Sequence, residues 1–103
     1  MTTRLTLEVQ RRHALWVAHN FGNIESYRPL LGIVEEVGEL AHAHLKEVDG
    51  IRGTPEELQL KGKDAVGDII HFLAGYCTTR GWSLEDCTSY AWESIKDRDW
   101  TKK

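Results

Sequence analysis

The sequence predicts an all-α chain, a small bundle of four helices. Three observations carry that prediction. Proline occurs only at positions 29 and 55, which leaves long helical windows uninterrupted. Apolar residues recur at spacings of three and four. No stretch alternates apolar and polar residues for long enough to make a strand.

The first helix is expected over residues 4–20, where Leu5, Val9, His13, Trp16 and Val17 form one apolar face. Asn20-Phe21-Gly22-Asn23 breaks it. Pro29 suits a first helical turn, so a second helix is expected from about 28 to 48. Asp49-Gly50-Ile51-Arg52-Gly53-Thr54-Pro55 reads as a loop. Thr54 can cap a third helix with Pro55 at its first position, and Glu56 and Glu57 favour the positive end of its dipole. Gly81 ends that helix after about Arg80. Ser83 caps a fourth, with Glu85 and Asp86 in its first turn, running to about Asp97.

With 103 residues and 41% apolar content, the chain is expected to be a single domain spanning 1–103 with a modest core. Its formal charge of −3 gives no electrostatic reason to bind long nucleic acid. No apolar run approaches the roughly 20 residues that span a bilayer, and Met-Thr-Thr-Arg-Leu-Thr is not a secretory signal. A soluble, cytoplasmic protein without membrane contact is expected. Cys77 and Cys87, ten residues apart across a helix–turn–helix, read as two buried thiols rather than a disulfide.

Two acidic clusters carry the chemistry: Glu35-Glu36-Val37-Gly38-Glu39 and Asp64-Ala65-Val66-Gly67-Asp68. At 100° per residue, Glu35 and Glu39 fall about 40° apart on one helix face, and so do Asp64 and Asp68. Core-type residues surround both clusters, and carboxylates beside a core are costly unless a positive charge compensates them. Gly38 and Gly67 sit mid-helix, where each costs roughly 1 kcal/mol relative to alanine. They are expected to let the two helices approach and bring the acidic faces together. The bland reading is two solvated faces. Converging oxygens without a Cys/His ligand set favour Mg²⁺ or Mn²⁺.

Ile33-Val34-Glu35-Glu36-Val37-Gly38-Glu39-Leu40-Ala41 resembles the first signature of the MazG-like, all-α nucleoside triphosphate pyrophosphohydrolases, and Lys63-Asp64-Ala65-Val66-Gly67-Asp68-Ile69-Ile70 resembles the second. The resemblance covers roughly residues 5–100. The family pattern is Glu-Glu-x-x-Glu, a spacer, then Glu-x-x-Asp. Glu35, Glu36, Glu39 and Asp68 match, whereas Ala65 stands at the second glutamate. Asp64, sharing a face with Asp68, is the expected replacement. The resemblance implies a MazG fold and hydrolysis of (d)NTPs between the α and β phosphates. It also implies Mg²⁺ or Mn²⁺ on Glu35, Glu36, Glu39, Asp64 and Asp68.

The residues fit that chemistry independently. An acidic site holds a triphosphate only through bridging cations, which also activate a water and stabilise the leaving pyrophosphate. Glu35 or Glu36 is the candidate to accept the water's proton. Lys61, Lys63, Lys96 and Arg98 are candidate phosphate contacts, with Arg52 a weaker one and ordinary surface roles the alternative. The family often sets Lys or Arg at the C-terminal position that Lys96 and Arg98 occupy. His71, three residues after Asp68, is either a further ligand or a satisfied histidine at the core edge. Trp16, Trp82, Trp92 and Trp100 are expected in the core by default. Trp16 with His19, Asn20 and Phe21 is alternatively a base-stacking pocket with polar edge readers.

Two competing readings stand beside the leading one. The first is a hydrolase of the same superfamily with another substrate, such as dUTP, dCTP or phosphoribosyl-ATP. The second is a non-catalytic helical carboxylate module. A di-iron bundle would need two Glu-x-x-His copies, and only Glu39–His42 occurs. Finally, Leu30, Val34, Val37, Leu40, Ala41, Leu45 and Val48 wrap around most of the second helix outside the glutamates. Burying so many apolar residues calls for a homodimer or a dimer of dimers, an assembly that the resemblance also implies.

Overall fold

The structure, a computed structural model, describes residues 2–102. It holds four α-helices: α1 (Thr2–Phe21), α2 (Tyr27–Asp49), α3 (Pro55–Arg80) and α4 (Leu84–Ile95). No strand occurs among the described residues, and none of these helices is long and apolar enough to cross a membrane.

Local chemistry sets the helix ends. The Thr54 hydroxyl accepts the Glu57 N–H at 3.2 Å and the Ser83 hydroxyl accepts the Asp86 N–H at 3.2 Å, so each cap satisfies an otherwise orphaned donor. Gly50 and Gly81 end α2 and α3 in the left-handed conformation, at φ 65° and 69°. Ser26, before α2, makes no side-chain cap. Pro29 sits in the first turn, where its missing N–H leaves no helical bond unmade. The fourth helix ends at Ile95, two residues short of the expected Asp97, and the Arg98 N–H then donates to the Ile95 carbonyl at 3.0 Å.

α2 and α3 form an antiparallel hairpin. The close approach between helices comes from Gly32 and Gly75, not from Gly38 and Gly67. A Cβ on Gly32 would lie 2.6 Å from the Phe72 ring, and one on Gly75 would lie 2.9 Å from His13 Cε1. A Cβ on Gly38 or Gly67 would meet nothing within 4 Å in the chain. The sequence expectation for those two glycines is therefore corrected: they point away from the helix seams. α1 runs antiparallel along another side of α3. Its Gln10 joins three elements, accepting the Leu84 N–H at 2.8 Å and donating to the Trp82 carbonyl at 2.8 Å and the Thr78 hydroxyl at 3.3 Å. α4 packs on α1 and α3. No backbone-level contact joins α2 to α1 or to α4, so a groove floored by α3 lies open between α1 and α2.

The four helices do not close a bundle within one chain. Among the described residues, the buried apolar ones are Ala43, Leu58, Ala65, Ala74 and Cys77, mostly small side chains. The Cα radius of gyration is 16.5 Å, against about 13 Å for a compact 100-residue domain. The chain exposes 8218 Å², about 2,300 Å² more than a compact monomer of its mass. All four tryptophans are exposed, Trp100 at 87%, so the default expectation of core tryptophans is corrected for the single chain. Cys77 is buried and Cys87 half-buried, both as free thiols. Burial, with Cys87 beside it, pushes the Cys77 thiol up to about 11.

Candidate functional site

α2 and α3 set four carboxylates facing the groove: Glu36 and Glu39 from one helix, Asp64 and Asp68 from the other. Glu36 is the most enclosed. Its Oε2 is buried and has no hydrogen-bond partner. Burial raises its pKa above the ordinary carboxyl value, and the charges of Glu39, Asp68 and Asp64 raise it further. The two sequence clusters meet pairwise across the α2–α3 seam: Glu36 and Asp68 line one cavity, and Glu39 and Asp64 share another concave surface. Glu35 is exposed at the rim, about 40° around the helix from Glu39 and about 100° from Glu36. Ala65 is buried at 3% exposure, so a longer acidic side chain there would press into packed core. Asp64, one residue earlier, is exposed on the face of Asp68. Among the described residues, no three His, Cys, Asp or Glu side chains are already drawn close enough to hold a metal ion.

The acidic groove opens into an aromatic cavity of about 440 Å³ that Glu36, Asp68, His71, Phe72, His13, Trp16 and Phe21 line. A neighbouring space of about 460 Å³ shares Trp16, Phe21 and Phe72 and extends over Ile24 and Pro29 to a polar edge of Asn23, Glu25 and Arg28. Trp16 and Phe21 meet edge-on, with ring centroids 5.7 Å apart. Glu25 and Arg28 pair at 2.9 Å.

Two histidines stand between the acids and the aromatics, their ring centroids 5.5 Å apart. His71 Nδ1 lies 2.9 Å from the Gly67 carbonyl. A carbonyl only accepts, so Nδ1 is the donor in that hydrogen bond. His13 Nδ1 is buried without a partner. Burial, and then the charge of His71, lower the His13 pKa.

The chain matches no family model, no curated protein and no solved structure.

The structure sorts the remaining candidates. Lys61 shares a concave surface with Glu39, His42, Lys46 and Asp64. Lys63, two residues on and about 200° around the helix, faces the opposite side of the α2–α3 seam with Leu40, His44 and Glu47. Lys96 pairs with Glu93 at 2.9 Å, and Arg98 donates to the Ser94 hydroxyl at 3.0 Å. Both follow a helix that makes no backbone-level contact with α2. Arg52 lies exposed in the α2–α3 loop. The Asn20 amide donates to the Trp16 carbonyl at 2.9 Å, and Asn23, rather than Asn20 or His19, lines the cavity.

Sequence reasoning missed His13, Asn23, Glu25, Arg28, Phe72 and Lys46 as site residues. The helical period carried a signal for two of them. Phe72 lies four residues after Asp68, and Lys46 lies seven after Glu39, each on the same face as its acid. His13 lay in the sequence as one more member of an amphipathic stripe.

Proposed function

We propose that the protein is a metal-dependent nucleotide pyrophosphohydrolase, cleaving (d)NTPs between the α and β phosphates to give the monophosphate and pyrophosphate. The observation that carries this is Glu36 Oε2: a buried, partnerless carboxylate oxygen among three other carboxylates, beside an aromatic cavity. A carboxylate in that position is stabilised by a cation. The all-oxygen donor set suits Mg²⁺ or Mn²⁺. The resemblance to MazG-like enzymes supports the same reading.

Glu36, Glu39, Asp64 and Asp68 are the residues that would hold the cation. When bound, such a cation neutralises phosphate charge and makes a water acidic enough to act as nucleophile at neutral pH. Glu35 or Glu36, whichever is left without a full ligand role, would accept the proton of the attacking water. Trp16, Phe21 and Phe72 offer faces for a nucleobase, and Asn23, Glu25 and Arg28 offer polar groups to its edge. Lys61, with Lys46, lies beside Glu39 and Asp64, placed to take up phosphate charge away from the aromatic end. Lys63, Lys96 and Arg98 reach the phosphates only if a second copy supplies them. The proposed working unit is a cytoplasmic homodimer or dimer of dimers, a reading that the surplus exposed surface supports.

Incubation with each common and modified (d)NTP plus Mg²⁺, followed by anion-exchange separation, tests the reading. Monophosphate and pyrophosphate are expected. Diphosphate with orthophosphate would sink the assigned bond, and no turnover on any nucleotide would leave the non-catalytic carboxylate module.

A further inference from the structure

The aromatic cavity beside the acids ends at an ion pair. Glu25 and Arg28 form its polar edge, and Trp16, Phe21 and Phe72 give it apolar walls. Arg28 Nε donates to Glu25 Oε1 at 2.9 Å. Only the Tyr27 hydroxyl reaches Glu25 Oε2, at 3.4 Å. The guanidinium carbon lies 5.4 Å from the Tyr27 ring centroid, so ring and carboxylate together hold the fork in place. The two terminal nitrogens of Arg28 have no hydrogen-bond acceptor among the described residues. The hydrogen bond from Arg28 also keeps the Glu25 carboxyl below its ordinary pKa. At neutral pH its oxygens therefore only accept.

The pair is electroneutral, so it offers a triphosphate no net attraction and suits an uncharged base. The rise of α2 from Arg28 to Glu36 is about 12 Å, close to the length of a nucleoside monophosphate. A base at the pair thus leaves its phosphates at the acids. What it meets there is two acceptor oxygens beside two donor nitrogens. Guanine carries the complement on adjoining edges: N1–H and the N2 amino group donate, and O6 and N7 accept. Cytosine supplies one donor, its N4 amino group, and two acceptors, N3 and O2. Adenine sets the N1 lone pair beside its single amino group. Uracil and thymine set a carbonyl on each side of N3–H. Adenine, uracil and thymine therefore turn a lone pair toward the carboxylate, which costs affinity because a polar group is left unpaired.

We infer that the protein selects guanine nucleotides. Glu25 accepts from N1–H and the N2 amino group, Arg28 donates to O6 and N7, and the purine stacks against the aromatic walls. The inference rests on the nucleotide reading of the site and names the base that reading leaves open.

Calorimetric titration with α,β-methylene triphosphates, which resist cleavage at the assigned bond, measures affinity apart from turnover. With Mg²⁺ present, the guanine analogue should bind at least about 10-fold more tightly than the adenine and uracil analogues, with cytosine between. The hypoxanthine analogue lacks the N2 amino group and the 7-deazaguanine analogue lacks the N7 acceptor, so each should bind more weakly than guanine. Glu25→Gln should lower guanine affinity about 10-fold and leave adenine affinity unchanged. Arg28→Ala should abolish the difference between guanine and 7-deazaguanine. Both side chains are exposed, and circular dichroism checks that each variant stays helical. Equal affinity for all bases, a preference for another base, or a Glu25→Gln variant that weakens every nucleotide alike would overturn the guanine assignment and leave the pyrophosphohydrolase reading standing. Guanine-selective binding in a protein that releases no pyrophosphate from GTP or dGTP would sink that reading and keep this one. Failure to bind any nucleotide would overturn both.

Discussion

Replacing Gly32 by alanine puts a Cβ 2.6 Å from Phe72 Cε1, 2.7 Å from Cζ and 2.8 Å from Cδ1. Carbon atoms in good contact sit about 3.5–4.0 Å apart, so three ring atoms are overlapped by about 1 Å. Either α2 lifts off α3 or the ring swings into the aromatic cavity. Overpacking of this kind costs about 1–3 kcal/mol, and the gain in helix propensity returns about 1 kcal/mol. With the ring edge blocked at three atoms, a net loss of about 1–2 kcal/mol is expected, or about 5–15 °C in Tm for a chain of this size. Gly67→Ala is the matched control. Its Cβ meets nothing within 4 Å, so it should gain up to about 1 kcal/mol from the same propensity difference. Thermal unfolding followed by circular dichroism, at one protein concentration, compares the two. Adding Phe72→Leu to Gly32→Ala should recover part of the loss. A Gly32→Ala protein at least as stable as Gly67→Ala would refute the account of how α2 seats on α3.

Glu36→Gln, Glu39→Gln and Asp68→Asn should each lower turnover by at least about 100-fold, as loss of a ligand or base does. Asp64→Asn should match Asp68→Asn if Asp64 replaces the acid missing at Ala65, and a silent Asp64→Asn would refute that substitution. His13 is harder to protonate in the fold than in the unfolded chain. Its contribution to stability is therefore fully present above its ordinary value of 6.5 and is lost as pH falls below it. Tm should drop more steeply for wild type than for His13→Gln between about pH 7.5 and about pH 5.5, and parallel curves would count against a buried, partnerless Nδ1. Gln10→Ala removes the side chain that ties α1 to the α3–α4 turn and should cost about 1–3 kcal/mol, with a shift in tryptophan emission as Trp82 is released. An unchanged Tm would show that the tie is dispensable.

What the sequence revealed was local. Thr54, Ser83, Gly50 and Gly81 act on groups within a few residues of themselves, so composition alone located their helix ends. The acidic pairs were legible for the same reason, since helical period fixes that Asp64 and Asp68 share a face. Which glycine meets a neighbour was not legible. It depends on the register between helices, and that register set Gly32 against Phe72 rather than Gly38 against Gly67. Position in the chain also hid the Gln10 tie, whose partners lie 68 to 74 residues away. Trp82, Trp92 and Trp100 look like core residues by type, but what covers a side chain depends on which elements reach it. Lys61 and Lys63, both candidate phosphate contacts, needed only the helical period to be separated.

Glu36, Glu39, Asp64 and Asp68 are proposed to form a divalent-cation site. Titration with Mn²⁺ followed by electron paramagnetic resonance tests it directly, with Mg²⁺ as competitor. Wild type should bind Mn²⁺, and Mg²⁺ should displace it. At a cation concentration 100 times Kd the fold should gain about 2.7 kcal/mol. The Glu36→Gln, Asp68→Asn double variant should lose both the binding and the gain while remaining helical. Binding of equal strength in wild type and double variant, or no binding to wild type with or without a nucleoside triphosphate, would contradict it.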